Sequence, residues 1–402
     1  MGPGTDYNMA RCKGRIIIRE VFPMGKKITT AVYYFPNWHV EKRNEPHHGR
    51  GWTEWELMKR ATSRFPGHGQ PKVPLWGYED ESLPEVMRKK CECAKKYGID
   101  AFIFDWYWYA GAPYLEGALK RGFLGMKKRT GLKFALMWAN HNWMNFHPGI
   151  KSGKYEIHFP WDTTFGEVGT VWDYIIENYF KDEDYWQVDG KPYFSIYAVN
   201  RFIMQMGGVE KTAEALALLR KKAAAAGIGD VHVNAIWFDN LEADPSTVCS
   251  QREWHTRIGF SSYTSYNVPM FTMYPMEKRP FPRMDHRAAF DFYYPLAQRA
   301  LKNLPAPYYP VVTMGWDSSP RTIQSDTYEN GCYPWLPVVE AGPEIFGSEL
   351  RDAAALVDGR PESERILFIN AWNEWTEGSY LEPDTVHKFS YLEEVAKVAG
   401  NN

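Results

Sequence analysis

Short apolar segments recur along the chain, and several of them are separated by stretches with helical spacing. Eight segments have the length and the β-branched, aromatic or aliphatic content of strands: Thr30–Phe35, Ala101–Asp105, Lys133–Trp138, Pro192–Tyr197, His232–Trp237, Gly259–Tyr263, Pro310–Met314 and Ile366–Ala371. Helical periodicity covers Leu83–Tyr97, Val209–Ala226 and Tyr391–Ala399. The first two helices are expected to end at Gly98 and Gly227, because glycine adopts the left-handed backbone that stops a helix.

The order of these elements predicts a single (β/α)8 barrel, the TIM-barrel fold. Strands that alternate with helices form parallel sheets, and continuous apolar runs are typical of strands buried on both faces. Eight strands close such a barrel. A doubly wound open sheet would need a glycine-rich turn after the first strand, where this chain has Pro36–His39 (PNWH). We therefore expect an N-terminal extension over residues 1–27 and one barrel domain, the catalytic domain, over residues 28–402.

Long loops follow several of the predicted strands. The four longest connections are Pro36–Leu83, Asn140–Gln187, Ser265–Arg287 and Asp317–Glu349. All four lie on the face of the barrel that carries active sites, at the C-terminal ends of the strands. Loops of this length are usually functional. Because these loops are rich in Trp, Tyr, His and Pro, we interpret them as the walls of a binding cleft.

Composition narrows the class of ligand. The 402 residues carry a formal net charge of −2, so no global field attracts nucleic acid or an anionic membrane. Aromatic residues make up 16% of the chain and include 17 Trp. Such rings can fill a large core, but they also stack on the C–H faces of sugars, so the surplus is compatible with a carbohydrate substrate. The five scattered Cys are not the pattern of a disulfide framework.

The chain contains neither of two common targeting features. It has no run of about 18 apolar residues, so the sequence predicts no transmembrane helix. Residues 1–27 also lack the apolar core of a signal peptide, since the run Ile16–Ile18 is short. Both a cytoplasmic protein and one exported after removal of a signal peptide fit these features.

Carboxylates, amides and indoles gather directly after the predicted strands, where a barrel brings side chains to one mouth. Glu374 and Glu377, after the eighth strand, are the candidate catalytic residues. The candidate substrate-binding residues are Glu54 and Trp55 in the first long loop, together with Asp105, Trp106, Tyr107, Asn140, Asn142, Trp143, Tyr197, Trp237, Asp239, Trp316, Asn373 and Trp375 near later strand ends.

These residue types point to glycoside hydrolysis more than to other reactions. The chain has no nucleophile-elbow serine, no glycine-rich phosphate loop and no HExxH motif, so we expect neither a cofactor nor a metal. Glycoside hydrolysis needs two carboxyl groups in different environments. A turn at Trp375 would let Glu374 and Glu377 face one cavity, and Trp372 or Trp375 could exclude water and raise the pKa of one of them. The alternative is structural: one of the two carboxylates caps a helix or pairs with an arginine.

Six motifs resemble those of the glycoside hydrolase family 99-like group, also called WbsX-like. They occur in order over nearly the whole chain, from about Ala31 to Tyr391. The motifs are GWTEW (Gly51–Trp55), GHGQPKVPL (Gly67–Leu75), YGIDAFIFDWYWY (Tyr97–Tyr109), MWANHNW (Met137–Trp143), YWQVDGKPYFSIY (Tyr185–Tyr197) and FINAWNEWTEGSYLEPD (Phe368–Asp384).

The resemblance implies a (β/α)8 barrel and retaining hydrolysis without an enzyme nucleophile. It assigns Glu374 as the base that activates the 2-hydroxyl of the substrate, which then attacks the anomeric carbon to give a 1,2-anhydro sugar. Glu377 would be the acid that protonates the leaving group. This chemistry requires O2 trans to the leaving group, as in α-mannosides and α-rhamnosides. One departure from family 99 proper is Thr376, which stands where that family has His.

Two other functions stay open at this point. One is a carbohydrate-binding barrel that has lost catalysis, against which the presence of both Glu374 and Glu377 argues. The other is a glycosyltransferase of polysaccharide biosynthesis, as parts of the resembling group are described. A transferase would need a site for a sugar nucleotide, and the acidic pairs Glu79–Glu81 and Asp182–Asp184 look like loop or helix-start residues rather than a diphosphate–metal motif.

Overall fold

The barrel predicted from the sequence is confirmed. The computed structural model describes residues 27–236, 253–268 and 273–400, and the N-terminal extension predicted over residues 1–27 therefore lies almost wholly outside the described residues. Within these ranges the main sheet contains nine parallel strands: β1 (Thr29–Tyr34), β2 (Ala101–Tyr109), β3 (Lys133–Trp138), β4 (Lys191–Ile196), β5 (His232–Ile236), β6 (Ser262–Thr264), β7 (Tyr308–Tyr309), β8 (Val311–Thr313) and β9 (Ile366–Asn370).

Nine strands fill the eight positions of the barrel because Pro310 divides one strand into β7 and β8. The strands pair in the order β7–β6–β5–β4–β3–β2–β1–β9–β8. The two ends of this order are joined covalently through Pro310, which closes the barrel. Proline has no backbone N–H to donate to a ladder, but the carbonyl oxygen of Pro310 still accepts a 2.9 Å hydrogen bond from the backbone N of Phe368 in β9.

Helices surround the barrel. The longer ones are α1 (Pro84–Lys96), α2 (Val168–Ile175), α3 (Val199–Met206), α4 (Val209–Ala225), α5 (His286–Asn303), α6 (Pro343–Ala355) and α7 (Ser390–Ala399). Short α-helices span Glu45–His48 and Trp55–Arg60, and π-helical turns span Ala118–Phe123 and Ile176–Phe180. None of the helices in the described ranges is long and apolar enough to cross a membrane.

Small two-stranded ladders and turns shape the loops at the strand ends. The ladders pair β2 with Ala112–Tyr114, Trp143–Met144 with Ile157–Phe159, Gln187–Val188 with β4, Gly315–Trp316 with Val339–Glu340, and Asn373–Glu374 with Ser379–Tyr380. The 3-10 turns are Met276–Lys278, Ser319–Arg321, Glu362–Glu364 and Trp375–Glu377.

Helix α2 was missed in the sequence, which predicted only a long loop between the third and fourth strands. Its residues include Val, Thr, Trp, Tyr and Ile, all of which form helices less readily than Ala or Leu. Packing overrides this weak preference, because Trp172 of α2 is fully buried and its Nε1 donates a 3.0 Å hydrogen bond to the carbonyl of Ala215 in α4.

Candidate active site

A cavity of about 360 Å³ lies at the C-terminal ends of the barrel strands. Eight of the predicted site residues line it: Asp105, Tyr107, Asn142, Trp143, Tyr197, Trp316, Glu374 and Glu377. It is also lined by residues that were not among the candidates, including Phe35, His141, Phe146, His147, Arg201, Tyr266, Arg321 and Tyr333. The barrel therefore brings side chains from at least six strand ends and two long loops into one space of the size typical for a ligand.

Glu374 and Glu377 reach this cavity because the chain turns sharply after β9. Glu374 ends a two-residue strand, the 3-10 turn Trp375–Glu377 follows, and Gly378 ends the turn at φ 64°. A Cβ atom at Gly378 would lie 2.6 Å from Cβ of Asp317, so glycine is needed both for the left-handed backbone and for the close approach. The turn at Trp375 that the sequence suggested is present, and both carboxyls face the cavity.

The guanidinium of Arg321 contacts both glutamates. Its Nη1 lies 2.5 Å from Oε1 of Glu377 and its Nη2 lies 3.3 Å from Oε2 of Glu374. Its Nε donates to Oε1 of Glu54 at 2.9 Å. The hydroxyl of Tyr333 contacts Arg321 and donates to Oε1 of Glu377 at 2.8 Å. A single buried cation thus fixes the positions of three carboxylates, in the forked geometry that suits arginine.

Burial raises the pKa of both members of the glutamate pair, Glu374 and Glu377, above the ordinary value. Repulsion from Glu377 raises the pKa of Glu374 further, and Arg321 offsets only part of the increase. Arg321 and Tyr333 likewise oppose the effect of burial on Glu377 without cancelling it. Since two coupled carboxyls cannot both ionise readily, the pair loses its second proton at a higher pH than its first.

Asp105 forms a third carboxyl at the cavity and is coupled to the pair through Tyr266. The hydroxyl of Tyr266 lies 3.2 Å from Oδ2 of Asp105 and 3.3 Å from Oε1 of Glu374. Oδ1 of Asp105 is buried without a partner in the described part of the chain. Burial raises the pKa of Asp105 well above its ordinary value, although the hydrogen bond from Tyr266 opposes this. Asp105 can therefore accept a hydrogen bond from a ligand hydroxyl or carry a proton.

Trp106 lies on the same strand as Asp105, but its side chain points away from the cavity. Strand β2 extends to Tyr109, and side chains alternate along a strand. Asp105 and Tyr107 therefore face inward, whereas Trp106 packs on Tyr174 at a ring distance of 6.2 Å. The sequence placed the strand end at Asp105 and so did not account for this alternation.

Three other candidates do not line the cavity, and two of them, Asn140 and Asn373, hold the backbone near it. The amide of Asn140 donates to the carbonyl of Ala198 at 2.9 Å and accepts from its N–H at 2.7 Å. Asn373 makes the same pair of contacts with Phe35, at 2.8 Å each. Glu54, with no exposed surface, lies behind Arg321, where Asn37 and Thr376 donate to it. These contacts fix the loops that present the cavity residues.

Two candidate indoles, Trp375 beside the glutamates and Trp55 in the first long loop, are buried outside the cavity lining. Trp375 stacks on Tyr380 with ring centroids 3.8 Å apart, and its Nε1 donates to Oε2 of Glu382 at 3.0 Å. Trp55 donates to the carbonyl of Glu79 at 2.9 Å. Neither indole therefore forms a wall of the cavity.

The remaining candidates, Trp237 and Asp239, lie outside the described residues. Arg321 was missed because it occupies a 3-10 turn inside the loop predicted over Asp317–Glu349, and its sequence surroundings carry no motif that predicts its direction. Across the described ranges, no three His, Cys, Asp or Glu side chains are arranged to hold a metal ion.

Asp317 supports the turn that carries Glu377. Its backbone N donates to the carbonyl of Glu377 at 2.5 Å, and its carboxylate lies 3.0 Å from Nε2 of His68 and 3.7 Å from Nζ of Lys72. Burial alone would raise the pKa of Asp317, but Lys72 and His68 more than offset burial and lower the pKa below the ordinary value. The folded state therefore favours the ionised carboxylate.

We expect Asp317→Asn to destabilise the protein at pH 7 by roughly 2 kcal/mol, the order of a charge-assisted hydrogen bond. Because the folded pKa is depressed, wild-type Asp317 contributes stability above its unfolded pKa and loses it as the pH falls below about 4. Urea unfolding at pH 7 and at lower pH should show the gap between wild type and variant shrinking with acid. Asp173→Asn, at an exposed ion pair with Lys222, serves as the control, and a gap independent of pH would contradict this account.

Comparisons with known proteins identify the family of the chain. The family model described as glycosyltransferase WbsX matches residues 30–395. The chain belongs to the WbsX family. Its relatives include two WxcX proteins of Xanthomonas campestris pv. campestris, each 26% identical, over 94% and 91% of this chain. The chain spans about half the length of these curated relatives, 51% and 48%.

Solved structures similar to this WbsX-family chain are barrels of glycoside hydrolases. One is the GH99 endo-α-mannosidase of Bacteroides thetaiotaomicron, with 15% identity, a TM-score of 0.53 and coverage of 92% of this chain and 96% of that one. Another is described as a glycoside hydrolase-like protein, with 12% identity, a TM-score of 0.60 and coverage of 94% and 96%. At these identities the likeness establishes the shared fold.

Proposed function

We propose that this protein is a retaining glycoside hydrolase that cleaves an α-linked mannose- or rhamnose-type bond in a poly- or oligosaccharide. The observation that carries the proposal is the convergence of Glu374 and Glu377 on one cavity, held by Arg321 and with pKa values raised by burial. Two carboxyls, one protonated and one ionised, can supply an acid and a base in the same turnover. The described barrel, with its flanking loops, would then be the catalytic domain.

The base role of Glu374 and the acid role of Glu377 follow the order of the two glutamates in the motif Phe368–Asp384 and not their pKa shifts, since the pKa of Glu374 is raised well above its ordinary value and that of Glu377 is raised less. Arg321 donates to Oε2 of Glu374 at 3.3 Å, which stabilises a carboxylate there, whereas the one proton of the Tyr266 hydroxyl can go to Glu374 or to Asp105 but not to both. Oε1 of Glu377 accepts from Arg321 and Tyr333, which leaves Oε2 to carry a proton. Glu374 is thus proposed to take the proton of the substrate 2-hydroxyl, and Glu377 to protonate the leaving oxygen as that bond breaks.

The walls of the cavity suit a sugar. Aromatic rings of Phe35, Tyr107, Trp143, Tyr197 and Trp316 line it, and such rings offer apolar faces together with polar edges. Asp105, near Glu374, has an oxygen without a partner among the described residues, to which a hydroxyl can donate. A hydroxyl-rich ligand satisfies these groups better than a flat or wholly apolar one.

The family name suggests a glycosyltransferase, but the acidic pair Asp182–Asp184, which could bind a metal–diphosphate, forms ion pairs with basic side chains. Asp182 pairs with Arg129 at 2.8 Å, and Asp184 pairs with Lys133 at 3.0 Å. Lys133 begins β3, so this cluster lies at the end of the barrel opposite the cavity. Both aspartates already have cationic partners, which leaves them poorly suited to bind a metal–diphosphate.

Retention can be tested by following the anomer released from an activated α-mannoside or α-rhamnoside by ¹H NMR. We expect the α-anomer to appear first and the β-anomer to grow only by slow mutarotation, because two inversions at the anomeric carbon restore its configuration. Initial release of the β-anomer would contradict the 1,2-anhydro route. Transfer of the sugar to an added alcohol with the same configuration would support that route, since both products come from one intermediate.

A further inference from the structure

A second cation lines the cavity and differs from Arg321 in its surroundings. Arg201 lies in α3, directly after β4, and is half-buried at the cavity. The charge of Arg321 is compensated by three carboxylates. Arg201 makes no ion pair with a carboxylate in residues 27–236, 253–268 or 273–400, and its hydrogen-bond partner there is the neutral amide of Asn142. Among the described residues, no carboxylate therefore compensates the positive charge of this guanidinium.

The neighbours of Arg201 present donors. Oδ1 of Asn142 accepts from Nη2 of Arg201 at 2.5 Å and from the backbone N of Trp161 at 2.9 Å. Because two donors fix that oxygen, the Nδ2 group of Asn142 must point the other way and is left to donate. Nε1 of Trp143, the next residue, is buried at the cavity without a partner in the described part of the chain.

The ring of His141 contributes no further donor to the cavity, because its one N–H is used on the backbone. Its Nδ1 lies 2.9 Å from the carbonyl of Asn142 and must be the protonated nitrogen, since a carbonyl only accepts. The pKa of His141 is lowered, chiefly by burial and additionally by the charge of Arg201. The carboxyls Asp105, Glu374 and Glu377 belong to other strand ends of the same cavity. The cavity thus has acceptors contributed by β2 and the turn after β9, and donors contributed by α3 and the loop after β3.

We propose that Arg201 and the amide of Asn142 bind an anionic substituent of the sugar, so that the substrate is an acidic glycan. The shared chemistry is an oxyanion, either the carboxylate of a uronic acid or a sulfate ester, which arginine binds with two hydrogen bonds. This inference rests on the proposed function for the choice of a sugar ligand. It adds that Arg201 determines specificity and takes no part in breaking the glycosidic bond.

Binding to three matched ligands tests the proposal without turnover. The probes are methyl α-mannoside, its uronate and its 6-sulfate, titrated by calorimetry into the full chain at low and at physiological salt. We expect at least one anionic ligand to bind about tenfold more tightly than the neutral one, with a preference that weakens at higher salt. A preference for the uronate alone or for the sulfate ester alone identifies the source of the oxyanion.

Variants separate a specific contact from a general effect. Arg201→Gln should reduce the preference to within about twofold, and Arg201→Lys should keep part of it, because the charge remains but the fork is lost. Arg88→Gln, at an exposed ion pair with Glu92, should behave as wild type. The proposal is overturned if neither anionic ligand binds more tightly than the neutral one, or if the preference survives in Arg201→Gln. A protein that prefers the anionic ligands but cleaves no glycoside would contradict the proposed hydrolysis and leave this inference standing.

Discussion

Glu377→Gln is expected to lower the turnover of an unactivated α-glycoside by about 100- to 10,000-fold, the usual contribution of a general acid. An aryl glycoside with a good leaving group should lose far less, because such a group departs without a proton. Steady-state rates on the two substrate types measure this difference. Glu214→Gln, at an exposed ion pair with Lys211 on α4, provides a matched loss of one carboxylate far from the cavity and should not change either rate.

Glu374→Gln should respond differently, which makes the two roles separable. The 2-hydroxyl must lose its proton whatever the leaving group, so both substrates should be cleaved slowly by this variant. If the activated substrate rescued Glu374→Gln and not Glu377→Gln, the roles of the two glutamates would be reversed. If neither variant lost activity, the assignment of the pair would be wrong.

Arg321→Met is expected to produce the largest loss of stability, on the order of 3 to 5 kcal/mol. The substitution removes the cation from Glu54, whose side chain has no exposed surface, and from the buried Glu374 and Glu377. An unpaired buried carboxylate then either remains charged at high cost or takes up a proton. Urea unfolding at neutral pH measures the loss, with Arg88→Gln as the arginine control.

A double variant shows whether the loss of stability comes from the Glu54 carboxylate that has lost its cation. Glu54→Gln together with Arg321→Met removes both partners, so the double variant should be more stable than Arg321→Met alone. Its activity should stay low, because Glu377 still lacks the guanidinium that positions it. An Arg321→Met protein as stable as wild type would show that Arg321 does not carry the electrostatic role given to it here.

The fold was accessible from the sequence because its signals are local and repeated. Buried parallel strands appear as apolar runs wherever they occur, and the predicted segments correspond to β1–β9 once Pro310 is seen to split one strand. Helix α2 was not predicted because its residues have low helix propensity. Its stability comes from contacts such as that of Trp172 with Ala215. Those contacts join segments far apart in the chain and leave no local pattern.

The candidate site could be predicted from the sequence only in part, because the sequence does not show which way each side chain points. Glu374 and Glu377 lie on a turn whose geometry follows from Gly378, so their convergence could be foreseen. Asn373, one residue earlier, points to the backbone of Phe35 instead. Arg321 contacts Glu54, which lies 267 positions away in the sequence. The closed barrel brings the two residues together, so no residue next to either of them predicts the contact.

The most direct test of the central claim is incubation of the purified protein with a panel of glycans that contain α-mannose or α-rhamnose, neutral and acidic, with released oligosaccharides read by mass spectrometry. Glu377→Gln is assayed alongside. We predict that the wild type releases product from at least one glycan and that Glu377→Gln releases little or none. Release by the variant at the wild-type rate, or binding of these glycans by the wild type without any release, would contradict the account.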